Sequence, residues 1–169
     1  MRVLVTTASR HGSTAEIAAE VGTVLAGAGF EVSVLPVEQA EDVERYGAVV
    51  LGSAVYAGRW IGSATRFVDH HRDALVGLPV WLFSSGPLGE PARPEGDPPD
   101  AARMVEATSA RGHRVFAGRL DEAYLGFAER AIAKLVNAPS GDFRHWEEIR
   151  QWAAVIATEL AAIEQPVTA

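Results

Sequence analysis

Short continuous apolar runs alternate along the chain with longer segments of helical period, the pattern of βαβ units that build a parallel sheet. Residues 3–5, 48–51 and 80–83 are unbroken apolar runs, as central strands require when helices cover both faces of the sheet. Residues 31–35 instead alternate polar and apolar positions, which predicts an edge strand with one covered face. A further strand is expected over 114–118. Between these runs, Ile17, Ala18, Val21, Val24, Leu25 and Ala28 form one apolar stripe, with Ser13 and Glu16 at capping-box spacing before it and Gly29 placed to end it. Ala64, Phe67, Val68 and His71 predict a second helix, residues 100–109 a third, and Phe127, Ala131, Ile132 and Leu135 a fourth. The last helix carries Trp146, Ile149, Trp152, Ala153, Ile156 and Leu160 on one face.

The remaining break in the pattern is 86–100, where glycines, prolines and acids crowd together. That composition is too polar and too rich in proline for the interior of an element, so a long loop is expected there. At 169 residues, 48% of them hydrophobic, the chain has material for one domain with a proper core. We place that domain at residues 1–165, with 166–169 as a short tail.

Charge and composition then narrow the classes of function. There is no cysteine, which excludes disulfides, thiolate catalysis and Cys-ligated metal centres and fits a reducing compartment. The formal net charge of -7 disfavours nonspecific nucleic-acid binding, which depends on a basic face releasing phosphate counterions. The first apolar run is too short for the core of a signal peptide, and no apolar stretch approaches the roughly 20 residues of a spanning helix. A soluble, cytoplasmic protein is the expectation.

Open parallel sheets bind ligands beyond the carboxyl ends of their strands. After the first strand come Thr7, Ala8, Ser9, Arg10, His11, Gly12, Ser13 and Thr14, running into the first helix. Hydroxyls and a glycine at a helix N-terminus suit a phosphate, because the amide N–H groups there are unpaired and the helix dipole is positive. Neither the Gly-X-Gly-X-X-Gly of dinucleotide folds nor the Gly-Lys-Ser/Thr of a P-loop is present, so a monophosphate fits better than NAD or ATP. After the third strand, Ala54, Val55, Tyr56, Ala57 and Gly58 combine small residues, which let a planar ligand approach, with an aromatic ring to stack on it. Trp60 is a second stacking candidate. Ser85, Gly86, Pro87, Leu88 and Gly89 open the long loop and offer backbone amides to the polar edge of a ring system.

These segments resemble the flavodoxin signature: Ser9, Gly12, Thr14, Ala18 and Val21 fall at its spacing, with Thr7 where an aromatic usually stands. The resemblance implies a flavodoxin-like α/β three-layer sandwich, with a five-stranded parallel sheet of order 2-1-3-4-5. It also implies flavin mononucleotide (FMN) as cofactor, its phosphate held from Ser9 onward and its ring between the segments 54–58 and 85–89. Residues 115–120, the helix around 132–135 and the stretch 142–146 extend the likeness, so that nearly the whole chain resembles the flavodoxin-type, menaquinone-dependent protoporphyrinogen oxidases. Those enzymes serve haem biosynthesis, passing electrons from the porphyrin precursor through FMN to a quinone.

Two FMN readings therefore stand side by side, an oxidoreductase with quinone as acceptor and an electron carrier that exchanges electrons with a redox partner protein and has no substrate of its own. A third, which Thr7 allows and the intact loop disfavours, is a flavodoxin-like regulatory or interaction module that has lost FMN. Glu90, Glu95, Asp97 and Asp100 outnumber Arg93 in the long loop, a poor surface for carboxylates or anionic lipid. Arg130 and Lys134 flank the apolar face of the fourth helix, which allows at most a peripheral membrane contact. His70, His71 and Asp73 lack the i, i+4 spacing of a helical zinc site. No Gly-X-Ser-X-Gly elbow supports a serine hydrolase. The flavin readings need no catalytic side chain, because the cofactor carries the redox chemistry.

Overall fold

The apolar runs become the centre of one parallel sheet. The computed structural model describes residues 1–86, 96–121, 126–127, 130–131 and 139–165. Strands β1 (Arg2–Ala8), β2 (Glu31–Pro36) and β3 (Ala48–Tyr56) are followed by a short β4 (Arg59–Trp60), then β5 (Val80–Ser85) and β6 (Gly112–Phe116). The parallel strands lie in the order β2-β1-β3-β5-β6. This is the expected 2-1-3-4-5 order, with β4 added as a hairpin partner of β3. Val3 sits opposite Val32 on one side and Ala48 on the other, and Val49 opposite Val80.

Strand periodicity divides the core in two. Val3, Val5, Val50 and Phe83 face helices α1 (Ser13–Gly27) and α5 (Trp146–Glu164). Leu4, Val49, Leu51 and Leu82 face the other layer, formed by α2 (Gly62–His70), α3 (Arg72–Val76) and α4 (Pro99–Thr108). As expected, β2 is an edge strand, paired only with β1. The end of α1 is a Schellman motif: Phe30 N–H donates to the Leu25 carbonyl and Gly29 N–H to that of Ala26, with Gly29 at φ +97°.

Several boundaries differ from the sequence reading. The second helix breaks at His71 (φ -104°) and resumes as α3, a division the single apolar stripe does not reveal. The last parallel strand starts at Gly112 and ends at Phe116, because its partner residues on β5 run from Trp81 to Ser85. Residues 119–120 and 141–142 form a separate small antiparallel sheet, β7 (Arg119–Leu120) with β8 (Gly141–Asp142). In the region of the expected fourth helix, Phe127, Arg130 and Ala131 are helical but Phe127 is 92% exposed rather than packed on the sheet. Ile132, Lys134 and Leu135 lie outside the described residues. No helix among the described residues is long and apolar enough to cross a membrane.

Candidate functional site

Three chain segments meet at the carboxyl ends of β1, β3 and β5. The first enters α1 through Gly12, whose φ of +83° is the left-handed conformation that favours glycine. Helix α1 therefore begins at Ser13 with Gly12 as its cap residue, and no side chain caps it. The expected capping box is absent. Ser13 stands one position too far along to cap, and the Glu16 carboxylate is engaged by two guanidinium groups described below. The first turn of α1 thus keeps free amide N–H groups at its positive end. The hydroxyl oxygens of Thr6 and Ser13 are buried without a hydrogen-bond partner. Each such orphan costs about 1–3 kcal/mol, and orphans of this kind call for a ligand or an ordered water.

The second segment is a tight β-hairpin. Val55 pairs with Trp60 and Tyr56 with Arg59, across a two-residue turn in which Ala57 (φ +49°) and Gly58 (φ +76°) are both left-handed, the signature of a type I′ turn. Ala57 gave no hint of this, since alanine rarely adopts positive φ. The turn leaves Tyr56 38% exposed, with the Arg10 guanidinium 5.0 Å from its ring centroid and the His11 ring edge-on at 6.4 Å. Tyr56 thereby joins the first segment to the second. Trp60 is no stacking platform. It is only 4% exposed, and its indole N–H donates to Ser84 Oγ at 2.7 Å. Asp100 Oδ2 and Ser53 Oγ accept the backbone N–H groups of Trp60 and Ile61, both at 3.0 Å, and so pin the hairpin to α4 and β3.

The third segment leaves β5 at Ser85, which is buried, and Gly86. A Cβ on Gly86 would stand 3.0 Å from the Val55 carbonyl oxygen, and one on Gly118 would stand 3.2 Å from the Gly86 Cα. The three backbones can approach this closely only because these positions are glycine. Pro87, Leu88 and Gly89 lie outside the described residues.

Behind these segments lies a polar pair the sequence reading missed. Ser84 Oγ is 2.8 Å from His113 Nε2, and His113 Nδ1 is 3.2 Å from Asp97 Oδ1, an ion-pair distance without the alignment of a hydrogen bond. The residue types are those of a nucleophilic triad. Ser84 is fully buried and its oxygen already accepts from Trp60, so the arrangement ties β5 to β6 and the hairpin and offers no accessible nucleophile. Burial lowers the His113 pKa below its ordinary 6.5, opposed by the Asp97 carboxylate. Burial, with help from His70, does the same to His71. Between the folded and unfolded values the unfolded chain binds more protons, so the stabilisation is complete above about pH 6.5 and is lost as pH falls from there toward the folded value. Denaturant midpoints measured across pH 5–8 are expected to drop on the acid side, and His113→Gln should flatten that slope, leaving the share that belongs to His71.

A second missed group lies under the start of α1. Arg144, whose side chain is 2% exposed, donates from Nε to Asp142 Oδ1 at 2.8 Å and from NH2 to Asp142 Oδ2 at 2.6 Å. Its NH1 donates to Glu16 Oε2 at 2.8 Å and to the Ser13 carbonyl at 3.2 Å. Arg119 meets Glu16 Oε1 at 3.0 Å. The hydrogen bond from Arg144 holds the Asp142 carboxyl below its usual range, and Asp142 in turn raises the Arg144 pKa. In sequence these residues stand as isolated charges, 128 positions apart in the case of Glu16 and Arg144.

This fold has known counterparts. The chain is 26% identical over 93% of its length to a protein of Escherichia coli (strain K12) named protoporphyrinogen IX dehydrogenase [quinone], and the match spans 95% of that protein. It superposes on a flavodoxin from the domain Archaea with a TM-score of 0.64, at 14% identity, over 95% of this chain and 99% of the other. Oxidised flavodoxin 1 from Bacillus cereus gives a TM-score of 0.60 at 13% identity, over 94% of this chain and 98% of the other. The flavodoxin domain model matches residues 4–145, which span β1 through the site segments to the approach to α5, and the chain belongs to that flavodoxin domain family.

Proposed function

We propose that this chain is an FMN-dependent oxidoreductase that withdraws electrons from a protoporphyrinogen-type substrate and delivers them to a quinone. The observation that carries the flavin part is the juxtaposition of a hydroxyl-bearing loop on the open end of α1 with an exposed aromatic, Tyr56, on a hairpin pinned beside it. The residues fit the group. Ser9, Gly12, Ser13 and Thr14 supply hydroxyls and backbone amides for the phosphate, with the orphaned Ser13 hydroxyl as a donor in need of a partner. Tyr56 and the backbone of 54–58 suit one side of a planar ring, and Ser85 ends β5 beside them, followed by Gly86 close against Val55.

When bound, FMN supplies the electron transfer itself. The chain's own work is to hold the phosphate, orient the ring against the pinned hairpin and keep water from the inner edge, where Trp60 and Ser84 are buried. The substrate and acceptor classes rest on the likeness to the E. coli dehydrogenase, which extends over nearly all of both chains.

Purified protein mixed with FMN and freed of excess should retain flavin colour, and it should then oxidise protoporphyrinogen in the presence of a menaquinone analogue. Retained flavin without turnover, but with exchange of electrons with a flavodoxin reductase, would establish the electron carrier instead. A colourless protein would end both readings.

A further inference from the structure

We infer that Arg144, with Arg119 and Asp142, is a positioning residue that neutralises Glu16 beneath the phosphate loop and so sets the preference of this protein for phosphorylated over unphosphorylated flavin. The inference rests on the FMN reading above. Glu16 sits in the first turn of α1, where its N–H closes on the Gly12 carbonyl at 2.9 Å. Its carboxylate folds back toward the loop: Oε1 lies 4.0 Å from where a Cβ on Gly12 would stand.

An acid at this position competes with a ligand phosphate. Both favour the positive end of the helix, and the two would repel each other across a few ångströms. Left alone, Glu16 would make this end of α1 a poor anion site. It is not left alone. Arg144 and Arg119 both bond its carboxylate, and the bidentate Asp142 balances the second positive charge. Two guanidinium groups and two carboxylates sum to zero, so the helix end keeps its dipole and its amides for the ligand.

The geometry separates this role from plain tethering. The Arg144 fork is already satisfied by Asp142 and by the face of Trp146, 4.4 Å from its ring centroid. The additional NH1 contacts go to Glu16 and to the carbonyl of Ser13, the residue at which the phosphate loop becomes helix. Trp146 opens α5, so the same side chain fixes the loop relative to the last helix.

The test compares FMN with riboflavin, which presents the same ring without the phosphate charge. Flavin-free wild type, Arg144→Gln, Glu16→Gln and the double variant are titrated with each by fluorescence quenching. Arg144→Gln exposes the loop to an under-neutralised carboxylate and should weaken FMN by about 10- to 100-fold, while riboflavin changes by less than about threefold. Glu16→Gln should strengthen FMN with riboflavin unaltered, and in the double variant it should restore most of the loss. Equal weakening of both flavins by Arg144→Gln would make the network structural only and overturn the inference. If Arg144→Gln does not fold, Glu16→Gln decides alone, and an unchanged FMN-to-riboflavin ratio overturns it. A wild type without preference for FMN would instead remove the phosphate reading on which the inference rests.

Discussion

Phe83→Ala should lower the free energy of unfolding by about 3–5 kcal/mol, enough to consume much of the roughly 5–15 kcal/mol that holds a domain of this kind together. Phe83 is fully buried on the central strand β5 and meets the rings of Phe116 and Trp152 at centroid distances of 6.0 and 5.9 Å. It also fills a place that its neighbour cannot. Gly52 stands directly opposite on β3, and a Cβ there would fall far inside van der Waals contact with the Phe83 ring. The ring lies over the glycine and covers the backbone that a side chain would otherwise cover. Deleting the ring therefore opens a cavity against bare backbone in the middle of the sheet. The reciprocal change, Gly52→Ala, should cost about 1–3 kcal/mol by overpacking. The two should couple strongly: in a Phe83→Leu background much of the Gly52→Ala penalty should disappear. Urea denaturation of the single and double variants gives this coupling directly, and additive penalties would show that the glycine is not required by the ring.

Ser13→Ala should move two measurements in opposite directions. In the flavin-free protein it deletes a buried hydroxyl that has no partner and puts a better helix former at the first position of α1. Stability should hold or rise, by up to about 1 kcal/mol. If the phosphate of FMN is the missing partner, the same change removes a hydrogen bond to a charged group worth about 1.5–3 kcal/mol. FMN affinity should then fall by roughly 10- to 100-fold, with riboflavin affected far less. Thermal unfolding without flavin, together with FMN and riboflavin titrations, reads both effects. A variant that loses stability and binds FMN as before would show that Ser13 serves the fold and not the ligand. Thr14 is nearly fully buried beside it and makes a weaker test, because its removal also costs packing.

The second case shows why a capping motif is a poor guide here. Ser13 and Glu16 have the spacing of a reciprocal cap, and in isolation that is the most economical use of both. In the folded chain Gly12 turns left-handed and takes the cap position. The serine is released to face an unfilled need, and the glutamate is released to two arginines. Local spacing describes what residues can do for each other within one turn. It carries no information about a guanidinium arriving from the far end of the chain.

What the sequence by itself determined was the set of strands and the first helix, where short periods govern. Unbroken apolar runs identify strands buried on both faces, the alternation at 31–35 identifies the edge, and the stripe from Ile17 to Leu25 with Gly29 beyond it defines α1 and its Schellman end. These features arise because side chains two, three or four positions apart share a face, so that burial is written directly into their order. The flavodoxin spacing of Ser9, Gly12 and Thr14 is legible for the same reason, as it belongs to one strand, loop and helix start. Only the tertiary structure decided which polar groups would be partners. Trp60 could stack on a ligand or close the core, and the Ser84 hydroxyl beneath it made it a core residue. Tyr56 could do either as well, and the turn at Ala57 and Gly58 left it exposed. Arg144 looks like any charge before a helix until the sheet brings it under Ser13 and Glu16. A buried charge must find its partner wherever the fold places one, and that partner can lie at any distance along the chain.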